Sequence, residues 1–232
     1  MAYQLSIVMP VLNEADVLPA SLLALQPLRR QGHELIVVDG GSSDGSKELA
    51  ATYADVVVTS EPGRAYQMNR GAERAGGDLL WFLHADTLAS GAAAAAMLSV
   101  FENDPESVWG RFDVRLSGER FLFRLIEWLM NRRSCWSGIA TGDQGIFVRR
   151  NVFESLGGYA EIPLMEDIEL SKRLKRVRRP VCCSRRLITS GRRWERNGIF
   201  ATVLLMWYLR LAYFFGVSPD RLAARYYRVG SK

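Results

Sequence analysis

Residues 34–46 read ELIVVDGGSSDGS, an apolar run that ends in an aspartate and is followed by glycines, serines and a second aspartate. A short run of branched apolar residues bounded by Gly, Ser and Asp is typical of a buried strand that ends in a tight turn. The small hydroxyl residues also suit the capped start of a helix, which we expect over residues 46–53. The stretch therefore predicts one strand–turn–helix unit of a parallel sheet.

Similar units lie on both sides of it. Further strands are predicted at residues 5–10, 56–59 and 79–83, and further helices near residues 16–25, 65–75 and 91–101. Strands that alternate with helices are typical of an α/β fold in which helices flank a mostly parallel, Rossmann-like sheet. We therefore expect residues 1–110 to form such a half-domain.

The pattern after residue 110 is less regular. It predicts strands at 112–116 and 146–148, and helices at 121–132, 151–156 and 167–177. We expect residues 1–190 to form one domain, with residues 111–190 as its second half and residues 191–232 as a C-terminal helical segment.

Residues 199–217 are apolar and carry six aromatic side chains, but Arg210 interrupts them. A charge in the middle disfavours a membrane span. Peripheral membrane contact or a homodimer through these residues is favoured instead, and a buried core helix stays open as an alternative.

Charge is distributed unevenly along the chain, whose net charge is +5. Residues 1–110 hold 6 Lys and Arg against 14 Asp and Glu, and residues 111–232 hold 24 against 11. A basic half suits an anionic ligand, an anionic membrane surface or nucleic acid, and charge alone does not choose between these partners. We expect no nucleic acid partner.

The chain holds three cysteines, Cys135, Cys182 and Cys183. An odd set without CxxC spacing predicts neither a disulfide framework nor a structural zinc site, and it favours the reducing cytoplasm. The apolar run at residues 5–12 is short and is followed by Asn13 and Glu14, so we predict no signal peptide. The expected location is cytoplasmic, at the inner face of the membrane if the C-terminal segment contacts lipid.

Polar side chains follow three of the predicted strands, and parallel sheets bind ligands at that edge. Glu14 follows the first strand, Asp39 ends the second, and His84 and Asp86 follow the fourth. A carboxylate at the position of Asp39 can accept hydrogen bonds from a base or ribose, and one at Asp86 can hold a hard divalent cation. A capped turn and a helix N-cap are the structural alternatives for these two residues.

The second half offers fewer candidates. Glu166 and Asp167 precede a helical pattern, where carboxylates also favour the helix dipole. Asp143 lies between glycines, which suits either close approach to a ligand or a simple turn. Arg193 and Trp194 follow residues 189–191 (TSG). The adjacent arginines at 192 and 193 are either a phosphate clamp or ordinary surface.

Three segments together resemble the family 2 glycosyltransferases. Residues 8–14 (VMPVLNE) are similar to that family's opening strand and turn, residues 37–44 (VVDGGSSD) to its nucleotide motif, and residues 82–87 (FLHADT) to its metal-binding DxD segment. Residues 165–169 (MEDIE) extend the resemblance to the family's ED motif. Since His84 stands in place of the usual first aspartate, the chain also resembles a small bacterial subgroup linked with arsenosugar pathways.

The resemblance implies a GT-A fold and a role for each matching residue. Asp167 would be the general base, and Asp86 would bind Mn²⁺ or Mg²⁺. The implied donor-binding residues are Pro10, Val11, Glu14, Asp39, Arg64 and Asn69. His84 departs from the family's motif, and we expect it on the donor side as well. Those expected at the acceptor or the diphosphate are Asp143, Glu166, Arg193 and Trp194.

The function that follows is an inverting, metal-assisted and non-processive transfer of a sugar from a nucleoside-diphosphate sugar, such as a UDP-sugar, to a hydroxyl acceptor. A nucleotidyltransferase and a non-catalytic, nucleotide-binding membrane adaptor remain as alternatives. The first would want a basic, glycine-rich phosphate loop after the first strand, where the chain has residues 11–14 (VLNE). The second would tolerate loss of Asp167.

Overall fold

The computed structural model describes residues 4–230, with the exception of the side chains at positions 193, 197, 229 and 230. Its sheet has eight strands in the order β3-β2-β1-β4-β7-β6-β8-β5. The strands are β1 Leu5–Val11, β2 Glu34–Asp39, β3 Val56–Thr59, β4 Leu79–Phe82, β5 Thr87–Leu88, β6 Trp109–Leu116, β7 Phe147–Arg149 and β8 Val181–Thr189. The helices are α1 Leu18–Arg30, α2 Ser46–Tyr53, α3 Arg64–Ala72, α4 Gly91–Asn103, α5 Phe121–Ser137, α6 Arg150–Ser155, α7 Glu166–Val177, α8 Arg192–Asn197, α9 Ile199–Phe214 and α10 Pro219–Gly230.

The first four strands are parallel neighbours, as predicted. β1 pairs with β2 and β4, and β3 extends the sheet from β2. Val11 lies beside Asp39, and Asp39 lies beside Thr59, so these three strands end at the same edge. The α/β prediction for this half is confirmed.

Alternating residues of the strands supply the two faces of the core. Ile7 and Met9 of β1 pack with α1 and α4 on one face, and Val8 packs with α3 and α7 on the other. Opposite orientation of successive side chains is the rule for a strand. Both faces are buried, which explains why these strands appear as continuous apolar runs.

β7 reverses direction in the middle of the sheet. It pairs antiparallel with β4 on one side and with β6 on the other. Because β7 runs against β4, the residues that precede β7 lie at the edge where β4 ends. A short 3₁₀ turn, Gly142–Gln144, occupies that place.

β8 is a nine-residue strand that the sequence analysis did not predict. It pairs in parallel with β6, with an irregularity between Phe112 and Asp113. Its central residues, SRR at 184–186, are exposed. A polar centre disrupts the apolar run by which a buried strand is recognised.

The described part of the C-terminal segment forms three helices, and α9 and α10 pack over the start of α7. Leu209 of α9 and Leu222 and Tyr226 of α10 are buried against Met165 and Ile168. Across residues 4–230, we find no helix that combines the length and the apolar character required to cross a bilayer.

Cysteine pairing differs from the prediction. Cys135, near the end of α5, and Cys182, in β8, form a disulfide with their Cα atoms 5.8 Å apart. The expectation of no disulfide was wrong because the pair depends on α5 lying against β8, 47 residues away in sequence. Cys183 is free and buried, and burial raises the pKa of its thiol to about 11.

Candidate active site

The ends of β1 and β2 are joined by hydrogen bonds between their loops. The backbone N–H of Asn13 donates to Ser42 Oγ over 2.9 Å, and that of Ser43 donates to Asn13 Oδ1 over 2.9 Å. Asn13 adopts a positive φ of 53°, a conformation that costs energy outside glycine and is common at binding sites. The two loops therefore form one rigid rim.

Beneath this rim, Gln67 of α3 holds the two strand ends together. It is 3% exposed, and its amide donates to the carbonyls of Val11 and Val38 over 2.7 and 2.8 Å. Asp39 is equally buried, and its carboxylate accepts hydrogen bonds from the N–H groups of Gly41 and Ser42. Asp39 thus shapes the turn that the sequence predicted.

His84 and Asp143 meet where β4 ends and the 3₁₀ turn begins. His84 Nδ1 lies 3.2 Å from Asp143 Oδ1. Because an ionised carboxylate only accepts hydrogen bonds, this contact places a proton on Nδ1. The reversed direction of β7 is what brings residues from the two halves of the chain into contact here.

Asp167 lies at the first turn of α7, next to the same 3₁₀ turn. Its Oδ2 accepts the N–H of Gly142 over 2.9 Å, and its Oδ1 accepts the N–H of Ile168 over 2.7 Å. Met165, just before the helix, has a φ of 73°. Asn13 and Met165 are the non-glycine residues with positive φ in the described chain, and both flank this site.

A cavity of about 560 Å³ opens at these residues. Its polar end contains Arg64, His84, Asp143, Glu166 and Asp167. Its remaining walls come mainly from apolar side chains of α5 and α9. A large, mostly apolar pocket with convergent polar groups is the usual form of a small-molecule site.

The carboxyl groups of the site differ in proton affinity. Burial and then the neighbouring Asp167 raise the pKa of Glu166, which is 5% exposed. Burial also raises the pKa of Asp86 and of Glu14, and Asp86 raises that of Glu14 further. Burial opposes the shift at Asp143, but His84 and Arg64 nevertheless lower its pKa.

Two arginines in the cavity were not predicted as site residues. Burial, and then Arg210, lower the pKa of Arg133 to about 10, while Asp167 acts in the opposite direction. Burial likewise lowers the pKa of Arg210. Within the described part of the chain, neither guanidinium has a carboxylate within 4 Å, and Arg133 Nη2 is buried without a hydrogen-bond partner. The sequence offered one signal, namely that Arg210 interrupts an apolar helix.

The structure brings together most of the predicted residues, but not all of them. Trp194 lines the cavity with the polar group already described. Glu14 Oε2 lies 3.4 Å from Arg192 Nη2. Asp86 lies close enough to Glu14 to raise the pKa of Glu14. Pro10 and Val11 are buried within β1. The side chain of Arg193 lies outside the described residues.

Asn69 is placed differently from the prediction. Its amide is held by the backbone of Tyr159, since Nδ2 donates to the carbonyl over 2.9 Å and Oδ1 accepts the N–H over 2.8 Å. Both polar groups of the side chain are therefore engaged. In this structure Asn69 anchors the loop before α7.

Gly142 is required for the packing of His84. A Cβ atom at this position would lie 2.4 Å from His84 Nε2. We expect Gly142→Ala to displace the imidazole, lower activity and reduce the free energy of unfolding by about 1–3 kcal/mol, as overpacking does. Thermal denaturation and an activity assay measure this. Gly91→Ala, where the new methyl group would meet nothing within 4 Å, is the control, and equal behaviour of the two variants would contradict the role of Gly142.

The model of the family described as "Glycosyl transferase family 2" matches residues 6–157 of the chain. The chain belongs to glycosyl transferase family 2. The match spans β1 to the end of α6 and includes the strand ends that form the site. The resemblance inferred from residues 8–14, 37–44 and 82–87 is therefore confirmed.

Relatives of this family 2 chain include a glycosyltransferase of PGL/p-HBAD biosynthesis from Mycobacterium tuberculosis, 33% identical over 166 residues. The match covers 66% of this chain and 62% of that protein. A probable glycosyltransferase of Bacillus subtilis, YdaM, is 28% identical over 74% of this chain and 46% of its own length. The chain thus spans about three fifths or less of these curated relatives.

Solved structures of similar fold include proteins in complex with nucleotide-sugars. TarS of S. aureus in complex with UDP-GlcNAc has a TM-score of 0.66 at 15% identity, with 81% of this chain and 58% of that chain covered. The mannosyltransferase PcManGT of Pyrobaculum calidifontis, in complex with GDP-Man and Mn²⁺, has a TM-score of 0.62 at 18% identity over 99% and 70% of the two chains. The predicted GT-A fold of this family 2 chain is thereby confirmed.

Proposed function

We propose that the chain transfers a sugar from a nucleoside-diphosphate sugar, such as a UDP-sugar, to a hydroxyl acceptor, with inversion at the anomeric carbon. The observation that carries this proposal is the juxtaposition of two kinds of residue at one cavity. The donor half, residues 1–110, supplies Arg64 from the start of α3 and His84 after β4, and the acceptor half, residues 111–190, supplies Asp143 and Asp167. The similar UDP- and GDP-sugar-bound folds support the choice of donor.

Asp167 is the proposed general base. An inverting transfer needs one group to take the proton of the attacking hydroxyl as the bond to the sugar forms. Glu166 is less suited because burial favours its protonated form, and Asp143 is less suited because His84 and Arg64 lower its pKa and thereby weaken it as a base. Asp167 is partly exposed to the cavity, and the Gly142 N–H fixes its orientation.

The leaving group is a nucleoside diphosphate, whose negative charge grows as the bond breaks. Arg64 and His84 line the donor side of the cavity and offer N–H donors for that charge. Trp194 and Arg193 belong to the proposed acceptor or diphosphate side. Arg193 and Trp194 resemble only the Arg-Trp portion of a longer motif of processive members of the family, and the rest of that motif is missing, so we propose a non-processive enzyme.

The donor side fits a divalent cation, Mn²⁺ or Mg²⁺, through one carboxylate and not through a complete set of protein ligands. Among the described residues, no three His, Cys, Asp or Glu side chains lie together as a self-sufficient metal site. Mg²⁺ usually binds through one or two carboxylates and completes its shell with substrate phosphates and water. Asp86, whose pKa burial raises, is the carboxylate proposed to hold it. When bound, the cation would offset charge on the diphosphate.

A screen of nucleotide-sugars that measures released nucleoside diphosphate tests the proposal. We expect one donor to give turnover that rises when an acceptor is added. Binding of UDP without turnover on any donor would favour the membrane-adaptor alternative. Release of pyrophosphate from a nucleoside triphosphate and a sugar phosphate would favour the nucleotidyltransferase.

We further propose that α9 contacts the membrane peripherally, with a homodimer as the competing use of the same face. Phe200 and Leu204 are 72% and 70% exposed, and exposed apolar patches mark interaction surfaces. The net positive charge of residues 111–232 favours an anionic surface, such as the inner face of the membrane. The proposed location at the inner face of the membrane rests on charge, because the disulfide between Cys135 and Cys182 removes the argument for a reducing cytoplasm.

Vesicle flotation distinguishes the two uses of this face. We expect the protein to float with vesicles that contain phosphatidylglycerol and to bind phosphatidylcholine vesicles less well. Phe200→Ser/Leu204→Ser should reduce flotation several-fold, because both side chains lose apolar contact. Absence of flotation together with a dimer in sedimentation analysis would establish the homodimer instead.

A further inference from the structure

The lining of the cavity at Asp167 has two parts of opposite character. Arg64, His84, Asp143, Glu166 and Asp167 supply its polar groups, whereas Leu129, Trp207, Leu211 and Phe214 line the cavity and are at the same time 50% to 74% exposed. These four side chains therefore form the mouth of the cavity, between α5 and α9. An opening rimmed by exposed apolar side chains is an unfavourable surface in water unless an apolar group occupies or covers it.

Two arginines of the cavity lack a direct ion pair. Arg133 of α5 and Arg210 of α9 both line it, and Asp167 interacts with the charge of each, as Asp143 does with that of Arg210. Among the described residues neither guanidinium has a carboxylate within 4 Å, and one nitrogen of Arg133 is buried without a hydrogen bond. Both side chains are partly withdrawn from water, where cationic groups are normally paired. An anionic ligand group would supply that missing partner.

We propose that the acceptor is an anionic amphiphile, a molecule with an apolar chain and a head group that carries a phosphate-type anion and the accepting hydroxyl. Its head group lies against Arg133 and Arg210, which places the accepting hydroxyl near Asp167. Its chain leaves through the mouth between α5 and α9. The role of this molecule as the acceptor rests on the proposed function. The binding site itself is argued from the geometry alone.

Donor diphosphate is the competing ligand for the two arginines. Arg64 and His84, from α3 and the end of β4, already lie on the donor side. Arg133 and Arg210 come instead from α5 and α9, the two helices that form the apolar mouth. Their placement favours a ligand that enters by that mouth.

The test uses octyl phosphate as the probe, with octanol and inorganic phosphate as its two separated parts. Calorimetry in the presence of saturating UDP measures binding. We expect octyl phosphate to bind at least about tenfold more tightly than either part, since charge-assisted hydrogen bonds and apolar burial both contribute. Equal affinity for octyl phosphate and octanol would overturn the anionic head group. Equal affinity for octyl phosphate and inorganic phosphate would overturn the apolar chain.

Matched variants locate the site. Arg133→Gln and Arg210→Gln should each weaken octyl phosphate about tenfold to a hundredfold and leave UDP binding unchanged. Arg132→Gln, an exposed neighbour on the same helix that does not line this cavity, should have no effect. If both arginine variants weaken UDP as strongly as octyl phosphate, the arginines serve the donor and the proposal fails.

A second pair of variants keeps the test independent of the arginines. Met206→Trp would fill the cavity from α9 and should abolish octyl phosphate binding, whereas Ala201→Trp changes an exposed position of the same helix outside the cavity. Unchanged binding in Met206→Trp would contradict the proposed path of the chain. Binding that follows these expectations in a protein that transfers no sugar would refute the proposed function but not the site.

Discussion

Asp167→Asn is expected to lower kcat about 10²–10⁴-fold, the range that a general base contributes. The amide keeps the size of the side chain and can still accept the N–H of Gly142, while the N–H of Ile168 loses this acceptor. The start of α7 should stay in place, and the catalytic loss is the ability to take a proton. Steady-state release of nucleoside diphosphate, with acceptor present, measures the effect.

Two controls make this result specific. UDP affinity should be unchanged in Asp167→Asn, because the base acts on the acceptor. Glu161→Gln, an exposed carboxylate in the loop before α7, should retain full activity. Full activity in Asp167→Asn would exclude this residue as the base and direct attention to Asp143.

Asp86→Ala is expected to remove the tightening of UDP binding by Mn²⁺ or Mg²⁺. Asp86 would hold the cation, whose charge would offset that of the diphosphate, so the metal-dependent gain in affinity, on the order of tenfold or more, should vanish. Calorimetric titration of UDP with and without the metal measures the difference.

Asp78→Ala is the matched control for this second variant. Asp78 precedes β4 and Asp86 follows it, so the two carboxylates lie near opposite ends of the strand. The control should keep the metal-dependent gain. If Asp86→Ala also keeps it, or if wild-type binding is indifferent to metal, the proposed cation site is wrong.

The first half of the fold could be predicted because local signals and burial agree there. Strands buried on both faces leave continuous apolar runs, and each ends in a turn whose small residues are visible in the sequence. Asp39 and Asp86 followed directly from the rule that ligands bind at the carboxyl edge. His84 was recognised by its place beside Asp86.

The rest depended on packing between distant segments. β8 carries two arginines at its centre, and its partner β6 is 65 or more residues earlier. Arg133 and Arg210 belong to helices whose sequences resemble ordinary surface or apolar helices, and only the packing of α5 beside α9 reveals a shared cavity. The disulfide between Cys135 and Cys182 likewise has no local signal.

Because of the reversed strand β7, the chain cannot be divided at residue 110 into two fragments that fold separately. Judged by sequence alone, the donor half would fold as a separate unit. Its strand β4, however, is completely buried and hydrogen-bonds to β7, which lies beyond residue 110 in the sequence. A fragment that stopped at residue 110 would expose this apolar strand as a bare edge, the kind of surface that recruits strands from other molecules. The two halves are therefore inseparable as folding units, although they are expected to bind different substrates.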